Sequence, residues 1–272
     1  MAESANKNIK VTLYTRQFWY GVRCAWLVYR GAPYVRRYAS EVRLGAHMWY
    51  LKYKEYEEES VRNDYEVSKK YLDELYGKTT PTAVYLRKHQ PIDPLIAPTL
   101  NSPLCESISE RDNEFAIYLT LGANSKMFLG QLAHEVAHLK NAHASDLYIE
   151  GINTNFARKL YSHLSREDEW LEWEDHFSAG KDPLYADTYY LIKELEEEIS
   201  HDFVGKAFNH LTLTKGKDDK SIHVINLKQW LNEIEGEERA NAVKIFEKHQ
   251  AKILLYKSGD YEQTQMLAEL EA

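Results

Sequence analysis

The feature that most constrains the fold is a five-residue motif, His134-Glu-Val-Ala-His138, inside a stretch with helical spacing. Apolar residues recur every three or four positions from Lys126 to about Ala144, which is typical of a helix with one buried face. Histidines at positions i and i+4 of such a helix project from the same side, one turn apart. The motif therefore predicts a helix that presents two imidazoles to one metal ion.

The residues before the motif predict the element that leads into this helix. Phe115–Leu121 is an apolar run of strand length, and Gly122-Ala-Asn-Ser125 follows it with the composition of a turn. Ser125 is placed to cap the helix, because a serine hydroxyl accepts a hydrogen bond from the first backbone N–H groups. A strand, a short turn and the motif helix are therefore expected in succession.

The spacing of the motif suits zinc chemistry. Imidazole nitrogens bind Zn²⁺ at about 2.0–2.1 Å, and two of them on one helix face can reach the same ion. Glu135 lies beside the first histidine, where it can contact a metal-bound water without ligating the metal. We expect it to act as a general base and to return the proton to the leaving amine. The competing interpretation is a surface helix with two incidental histidines.

The motif leaves one zinc ligand to be found, since a catalytic zinc ion normally has three protein ligands and a water. The two cysteines cannot supply a cysteine-based site alone. His143 follows His138 by five residues and faces away by about 140° on a continuous helix, unless the helix breaks at Asn141. Glu172 and Glu174, in an acidic stretch rich in tryptophan, are a second source.

A third source lies further along the chain, on one long helix predicted over residues 184–211. Glu198 and Asp202 are one turn apart in that helix, so both would share a face. Glu198 would then ligate the metal, and Asp202 would accept a hydrogen bond from a ligand histidine and fix its tautomer.

The stretch His134–His143 resembles the H-E-x-x-H-x-x-x-x-H segment of gluzincins related to CAAX-prenyl endopeptidases and HtpX-like proteases. A downstream helix in that family carries E-x-x-x-D followed by a small residue, which Glu198, Asp202 and Gly205 match. The resemblance covers roughly residues 112–212 and implies a zinc site with His134, His138 and Glu198 as ligands and Glu135 as catalytic base.

Two departures from that family leave an alternative open. The family usually has E-x-E-A-D, whereas Ile-Ser-His stands between Glu198 and Asp202 here, and its members are commonly membrane-embedded or exported. A soluble relative, or the ImmA/IrrE-like type of metallopeptidase, fits equally well. That type places its third ligand closer to the motif, which favours Glu169, Glu172 or Glu174.

Charge is distributed unevenly along the chain. Residues 1–54 carry a net charge of +8 and many aromatic side chains, whereas residues 55–272 carry −16. Arginine with stacking aromatics is a composition that binds nucleic acid, so nucleic acid is one candidate partner of segment 1–54. The alternatives are an aromatic core with arginines extending from it, or a lid over the metal site.

Composition and pattern together predict a mostly helical α+β fold. The 44% hydrophobic content excludes a disordered or fibrous chain. We expect a basic, aromatic-rich region over 1–100, a zincin-like core over 101–215 whose active-site helix follows an edge strand, and a strand–helix extension over 216–272. No secretory signal or membrane span is visible, so a cytoplasmic location is expected, with secretion by a signal-less route left open.

The functional expectation is a zinc-dependent metalloendopeptidase that acts on protein or peptide substrates. A nucleic-acid-associated regulator with a zincin domain, and a zinc-binding interaction protein without catalytic activity, are the alternatives.

Overall fold

The computed structural model describes residues 53–89, 103–109, 113–141, 144, 146–215 and 221–253. All of these except Tyr53 belong to one compact unit, formed by 54–89 and 102–272. The strand predicted over 9–15, nearly all of the basic segment 1–54 and the candidate ligand His143 lie outside the described residues.

The described elements are short strands and, for the most part, longer helices. In chain order they are β1 (Tyr53–Glu55), α1 (Glu59–Tyr76), β2 (Ala83–His89), β3 (Leu104–Ser109), β4 (Glu114–Leu119), α2 (Phe128–Ala137), α3 (Leu147–His163), α4 (Glu167–Ser178), α5 (Pro183–Glu198), α6 (His201–Lys206), β5 (Leu211–Lys215), β6 (Ser221–Ile225), α7 (Leu227–Leu231) and α8 (Gly236–Ile253). Short 3₁₀ turns follow α2 and α6. This confirms the mostly helical α+β class, while a zincin-like core remains a prediction.

A four-stranded sheet with the order β1-β2-β4-β3 carries the motif helix. β2 and β4 are parallel, and β3 runs antiparallel to β4 at one edge of the sheet. The expected strand at 115–121 is β4, whose Phe115, Ile117 and Leu119 point into the core. Helix α2 packs against β4, so a strand, a turn and the motif helix do follow one another. The expectation that this strand is an edge strand is wrong, because β4 pairs with β2 on one side and with β3 on the other.

The helices pack around α3, which lies between α2 and α5. Helices α3 and α5 lie close together at Gly151, where an added Cβ would lie 2.5 Å from the carbonyl oxygen of Thr188. Only a residue without a side chain lets the two helix backbones meet at this distance. At Gly151, α3 is therefore held close to α5.

Three of the predicted helices differ from the observed elements. The motif helix, expected to reach about Ala144, ends at Ala137 and continues only as the 3₁₀ turn His138–Lys140, because the backbone of Asn141 is not helical. The single helix expected over 184–211 is divided at Ile199, because Ser200 caps α6 by accepting a hydrogen bond from the backbone N–H of Phe203 at 3.1 Å. The helix expected over 41–76 is described from Glu59 onward, and residues Tyr53–Glu55 form a strand instead. Within the described ranges, no helix is both long enough and apolar enough to cross a membrane.

Candidate metal centre

Helix α2 is fixed at its start by polar side chains that bond to backbone groups. The Gln131 carboxamide oxygen accepts from the N–H groups of Thr120 and Leu121 at 2.8 and 3.1 Å, just beyond the end of β4. The Tyr161 hydroxyl of α3 accepts from the N–H of Gly130 at 3.0 Å and donates to the carbonyl of Lys126 at 2.7 Å. These hydrogen bonds therefore fix the position of the motif relative to the sheet and to α3.

The two motif histidines meet a single carboxylate from the next helix. Oε2 of Glu150 lies 3.0 Å from Nε2 of His134 and 3.6 Å from Nε2 of His138. The two imidazole rings are 5.1 Å apart, and all three side chains are at most 21% exposed. His138 stands where α2 gives way to the 3₁₀ turn His138–Lys140. The i, i+4 spacing thus brings both rings to one point, as the motif predicted.

Glu150 reaches the site because of how α3 begins. The buried Asp146 carboxylate accepts from the N–H of Tyr148 at 2.7 Å, which caps the helix, and from the N–H of Ile225 in β6 at 3.0 Å. These two bonds fix the start of α3 against the hairpin β5–β6. Its first turn then presents Glu150 to the histidines.

A threonine one turn further along α3 orients His134. The Thr154 hydroxyl donates its hydrogen to the carbonyl of Glu150 at 2.8 Å, so toward Nδ1 of His134, 3.1 Å away, it can only accept. Nδ1 therefore carries the imidazole proton when His134 is neutral. Nε2, which faces Glu150, is left with the lone pair that a metal ion requires.

The three donor atoms are spaced as ligands of one ion. Ligands at about 2.1 Å from a tetrahedral ion lie about 3.4 Å from one another, and the two distances from Glu150 are 3.0 and 3.6 Å. Of the described residues, only His134, His138 and Glu150 form a cluster of metal-ligating side chains this tight. The group could hold a metal ion, and its three protein ligands would leave a fourth position for water.

The charges of the cluster are coupled. Burial opposes ionisation of Glu150, yet the charge of His138 and the hydrogen bond from His134 hold the pKa of Glu150 well below its usual range. Burial also disfavours a charged His138, but the Glu150 carboxylate raises the pKa of His138 to about 9. A buried carboxylate is therefore balanced by positive charge at this point, a role that a metal cation also fills.

Glu135 lies beside this cluster, and one of its two carboxylate oxygens forms no hydrogen bond with the described residues. Its side chain is 3% exposed, and one of its oxygens accepts from the backbone N–H of Cys105 in β3. The other oxygen, Oε2, has no hydrogen-bond partner among the described residues. Burial raises the pKa of Glu135, and the neighbouring histidines partly offset this. An unpartnered buried carboxylate oxygen is costly for stability, so it points to a role outside the folding of the chain.

The other acidic candidates lie elsewhere in the fold. Glu198 is the exposed last residue of α5, and Asp202 is exposed in the first turn of α6; the helix break between them removes their shared face. Neither belongs to the histidine cluster. The remaining candidates have partners of their own: Glu169 with Arg166, Glu172 with Lys126, and Glu174 with Trp170 and Tyr189.

Glu150 and Thr154 were missed by sequence reasoning. A weak signal for them exists in the sequence: Glu150 and Thr154 stand one helix turn apart, shortly after Asp146, which is a helix-capping residue type. A search for E-x-x-x-T after the H-E-x-x-H motif would have found the pair.

Comparisons with family models, with curated proteins and with solved structures gave no match to this chain. The site is therefore interpreted from its own geometry.

Proposed function

We propose that this protein is a zinc-dependent metallopeptidase. Its ligands are His134, His138 and Glu150, and its general base is Glu135. The observation that carries the proposal is the three-donor cluster beside a buried carboxylate oxygen that has no partner. Glu150 takes the ligand position that the sequence had suggested for Glu198. Two imidazoles, one carboxylate and an open fourth position are a donor set that catalytic zinc sites use.

The bound ion supplies Lewis acidity, which polarises a substrate carbonyl and lowers the pKa of a water in the fourth position. The chain supplies the proton transfers. Glu135 takes a proton from the attacking water through its free Oε2, because its other oxygen is held by Cys105. Burial raises the pKa of Glu135, so the captured proton is retained long enough to be passed to the departing amine as the C–N bond breaks.

The position of strand β3 is evidence that the substrate is an extended peptide. β3 is an edge strand and pairs only with β4 among the described residues. The N–H of Cys105 bonds Glu135 and not Ile117, the residue opposite it on β4. Along an antiparallel strand, residues whose backbone N–H and C=O face the neighbouring strand alternate with residues whose N–H and C=O face away from it. The backbone N–H and carbonyl of Ser107 therefore also face the free edge. A substrate strand bonded there would run past the proposed catalytic base.

Metal analysis of the purified full-length protein tests the ligand set. We expect stoichiometric zinc in the wild type and its loss in the His134→Ala/His138→Ala double variant. Glu150→Ala and Glu198→Ala form a matched pair, since each removes one carboxylate, and only Glu150→Ala should lose the metal. Zinc that survives Glu150→Ala but not Glu198→Ala would overturn the assignment.

Peptide hydrolysis by the zinc-loaded protein tests the activity. Glu135→Gln keeps the shape of the side chain but removes the base, so it should retain zinc and lose turnover by about 10²-fold or more. A zinc-loaded wild type that cleaves no member of a broad peptide mixture would instead favour a zinc-binding interaction protein without catalytic activity.

A further inference from the structure

A tyrosine from α5 joins the proposed centre. Tyr185 lies in the first turn of this helix, and its ring packs edge-on against the imidazole of His134, with centroids 5.5 Å apart at 74°. The carboxylates of Glu150 and Glu135 are both close enough to act electrostatically on its hydroxyl. Three members of the proposed site, one histidine and two acids, therefore lie near this phenol.

The hydroxyl of Tyr185 differs from those of the other tyrosines near this site. Tyr161 donates to the carbonyl of Lys126, and Tyr189 donates to Glu174, so both hydroxyls hold the fold together. No hydrogen bond to the Tyr185 hydroxyl is formed by any residue that the structure describes, although its side chain is half-buried. This hydroxyl is not among the fully buried polar atoms that lack a partner, so it is accessible from the solvent side and free to donate to a bound molecule.

We propose that the Tyr185 hydroxyl donates a hydrogen bond to the oxygen of the scissile carbonyl, which makes Tyr185 a catalytic residue of the peptidase. This inference rests on the proposed function. As water adds to the carbonyl carbon, the C=O π electrons move to oxygen, and the water proton passes to Glu135. The phenol stabilises the negative oxygen without giving up its own proton. The C=O bond then re-forms, the C–N bond breaks, and the amine takes the proton from Glu135.

A donor aimed at an oxygen that becomes charged in the transition state accelerates the reaction more than it strengthens substrate binding. Removing one such donor costs about 10²-fold in kcat in enzymes where this has been measured. A residue that only supports the His134 ring would act through its aromatic face. The two roles are separated by Tyr185→Phe, which keeps the ring and deletes the hydroxyl.

The test compares wild type, Tyr185→Phe and Tyr190→Phe, all as full-length zinc-loaded protein. Tyr190→Phe is the matched control, because it deletes a hydroxyl of the same helix that bonds Glu174 at 3.3 Å. Tyr185→Phe should retain zinc, lower kcat about 10²-fold on a quenched-fluorescence peptide mixture and leave KM within a few-fold. It should also weaken binding of a phosphonamidate dipeptide, whose charged tetrahedral group imitates the transition state, by about tenfold or more. The control should behave as wild type in all three measurements.

Spectra of the cobalt-substituted proteins report the metal environment independently of activity. The visible bands of Co²⁺ should be the same in wild type and Tyr185→Phe. If Tyr185→Phe keeps full kcat and full phosphonamidate affinity, this inference is wrong. The proposed peptidase function still stands in that case, provided that Glu135→Gln retains zinc and loses turnover. A cobalt spectrum altered by Tyr185→Phe would assign the tyrosine to the support of His134 instead. A wild type without zinc or turnover would remove the proposed function, and this inference with it.

Discussion

At the scale of single residues, the least obvious member of the centre is Thr154, which touches no metal position itself. Its hydroxyl donates a hydrogen bond to the carbonyl of Glu150 and accepts one from Nδ1 of His134. One threonine thereby links the backbone of one proposed ligand to the ring of another. Residues with this role hold an imidazole in the correct tautomer and orientation for metal binding.

Thr154→Val should therefore weaken zinc binding by about 10- to 100-fold, because the imidazole of His134 loses the partner that fixes its tautomer. Competition with a chromophoric chelator at neutral pH measures this affinity. Thr188→Val is the matched control, since Thr188 is equally buried in α5 and bonds the carbonyl of Leu184 but contacts no site histidine. Equal losses of affinity in both variants would contradict an orienting role.

The same residues show what a sequence can reveal about a site. His134 and His138 follow from spacing alone, because one helix turn determines their relative position. Glu150 lies on another helix, so finding it requires the rotation of α3 about its axis and its packing on α2. The prediction of Glu198 rests on the resemblance to a family with E-x-x-x-D on a continuous helix, and the cap at Ser200 interrupts that helix here. Residue spacing predicts ligands that lie on the same helix or strand. A ligand on a second helix can be predicted only when the packing of the two helices is known.

At the scale of elements, the contact between α3 and α5 sets where the two halves of the proposed centre meet. α3 carries Glu150 and α5 carries Tyr185, and the two helices lie close together at Gly151. An added Cβ there would lie 2.5 Å from a backbone oxygen of Thr188 and 2.8 Å from a side-chain atom of Ile192. Backbone cannot give way as a flexible side chain does, so the helices would have to separate.

Gly151→Ala should lower the free energy of unfolding by about 1–3 kcal/mol, even though alanine is the better helix former. Urea denaturation followed by tryptophan fluorescence measures the change. Gly205→Ala is the control, because its nearest neighbour is a ring atom of Tyr76 at 3.3 Å. That variant should stay within about 1 kcal/mol of wild type. Equal stability of the two variants would show that the helices are not packed as closely as described.

The edge strand β3 carries the second prediction at this scale, which depends on the peptidase proposal. Ser107→Pro removes one outward-facing N–H, and proline is tolerated at an edge position whose N–H does not bond the neighbouring strand. The variant should keep its zinc and its stability but raise KM for peptides several-fold, because one main-chain bond to the substrate is lost. Ser107→Ala, which keeps the N–H, should have wild-type kinetics. An unchanged KM in both variants would place the substrate elsewhere.

At the scale of the whole molecule, a buried polar cluster other than the proposed metal centre joins three helices. Glu196 of α5 is its only acid and is 11% exposed. Its partners are Asn155, Arg158 and Lys159 of α3 and His201 of α6. Although burial opposes its ionisation, hydrogen bonds from His201, Lys159 and Asn155 lower the pKa of Glu196 to about 2. The ionised form of this side chain is therefore one of the groups that hold the helices together.

The cluster predicts how stability depends on pH. In the unfolded chain Glu196 titrates near pH 4.3, and in the folded protein its pKa is about 2. The folded state therefore binds the proton more weakly, and the stabilisation is complete above about pH 4.3 and is lost as the pH falls towards 2. Allowing for solvent screening, the contribution at pH 7 is about 2 kcal/mol.

Glu196→Gln should remove this contribution at pH 7 and flatten the decline in stability below pH 5, so that the two curves converge near pH 2. Urea unfolding in the presence of a chelator measures both effects without a contribution from bound metal. Glu197→Gln, at the exposed neighbouring position, should follow the wild-type curve throughout. If the free energy of unfolding of Glu196→Gln and of wild type declined in parallel with pH, the ionised Glu196 carboxylate would not be stabilised by the cluster. Convergence would show that α3, α5 and α6 are joined by charge independently of the zinc site, since this measurement is made with the metal removed.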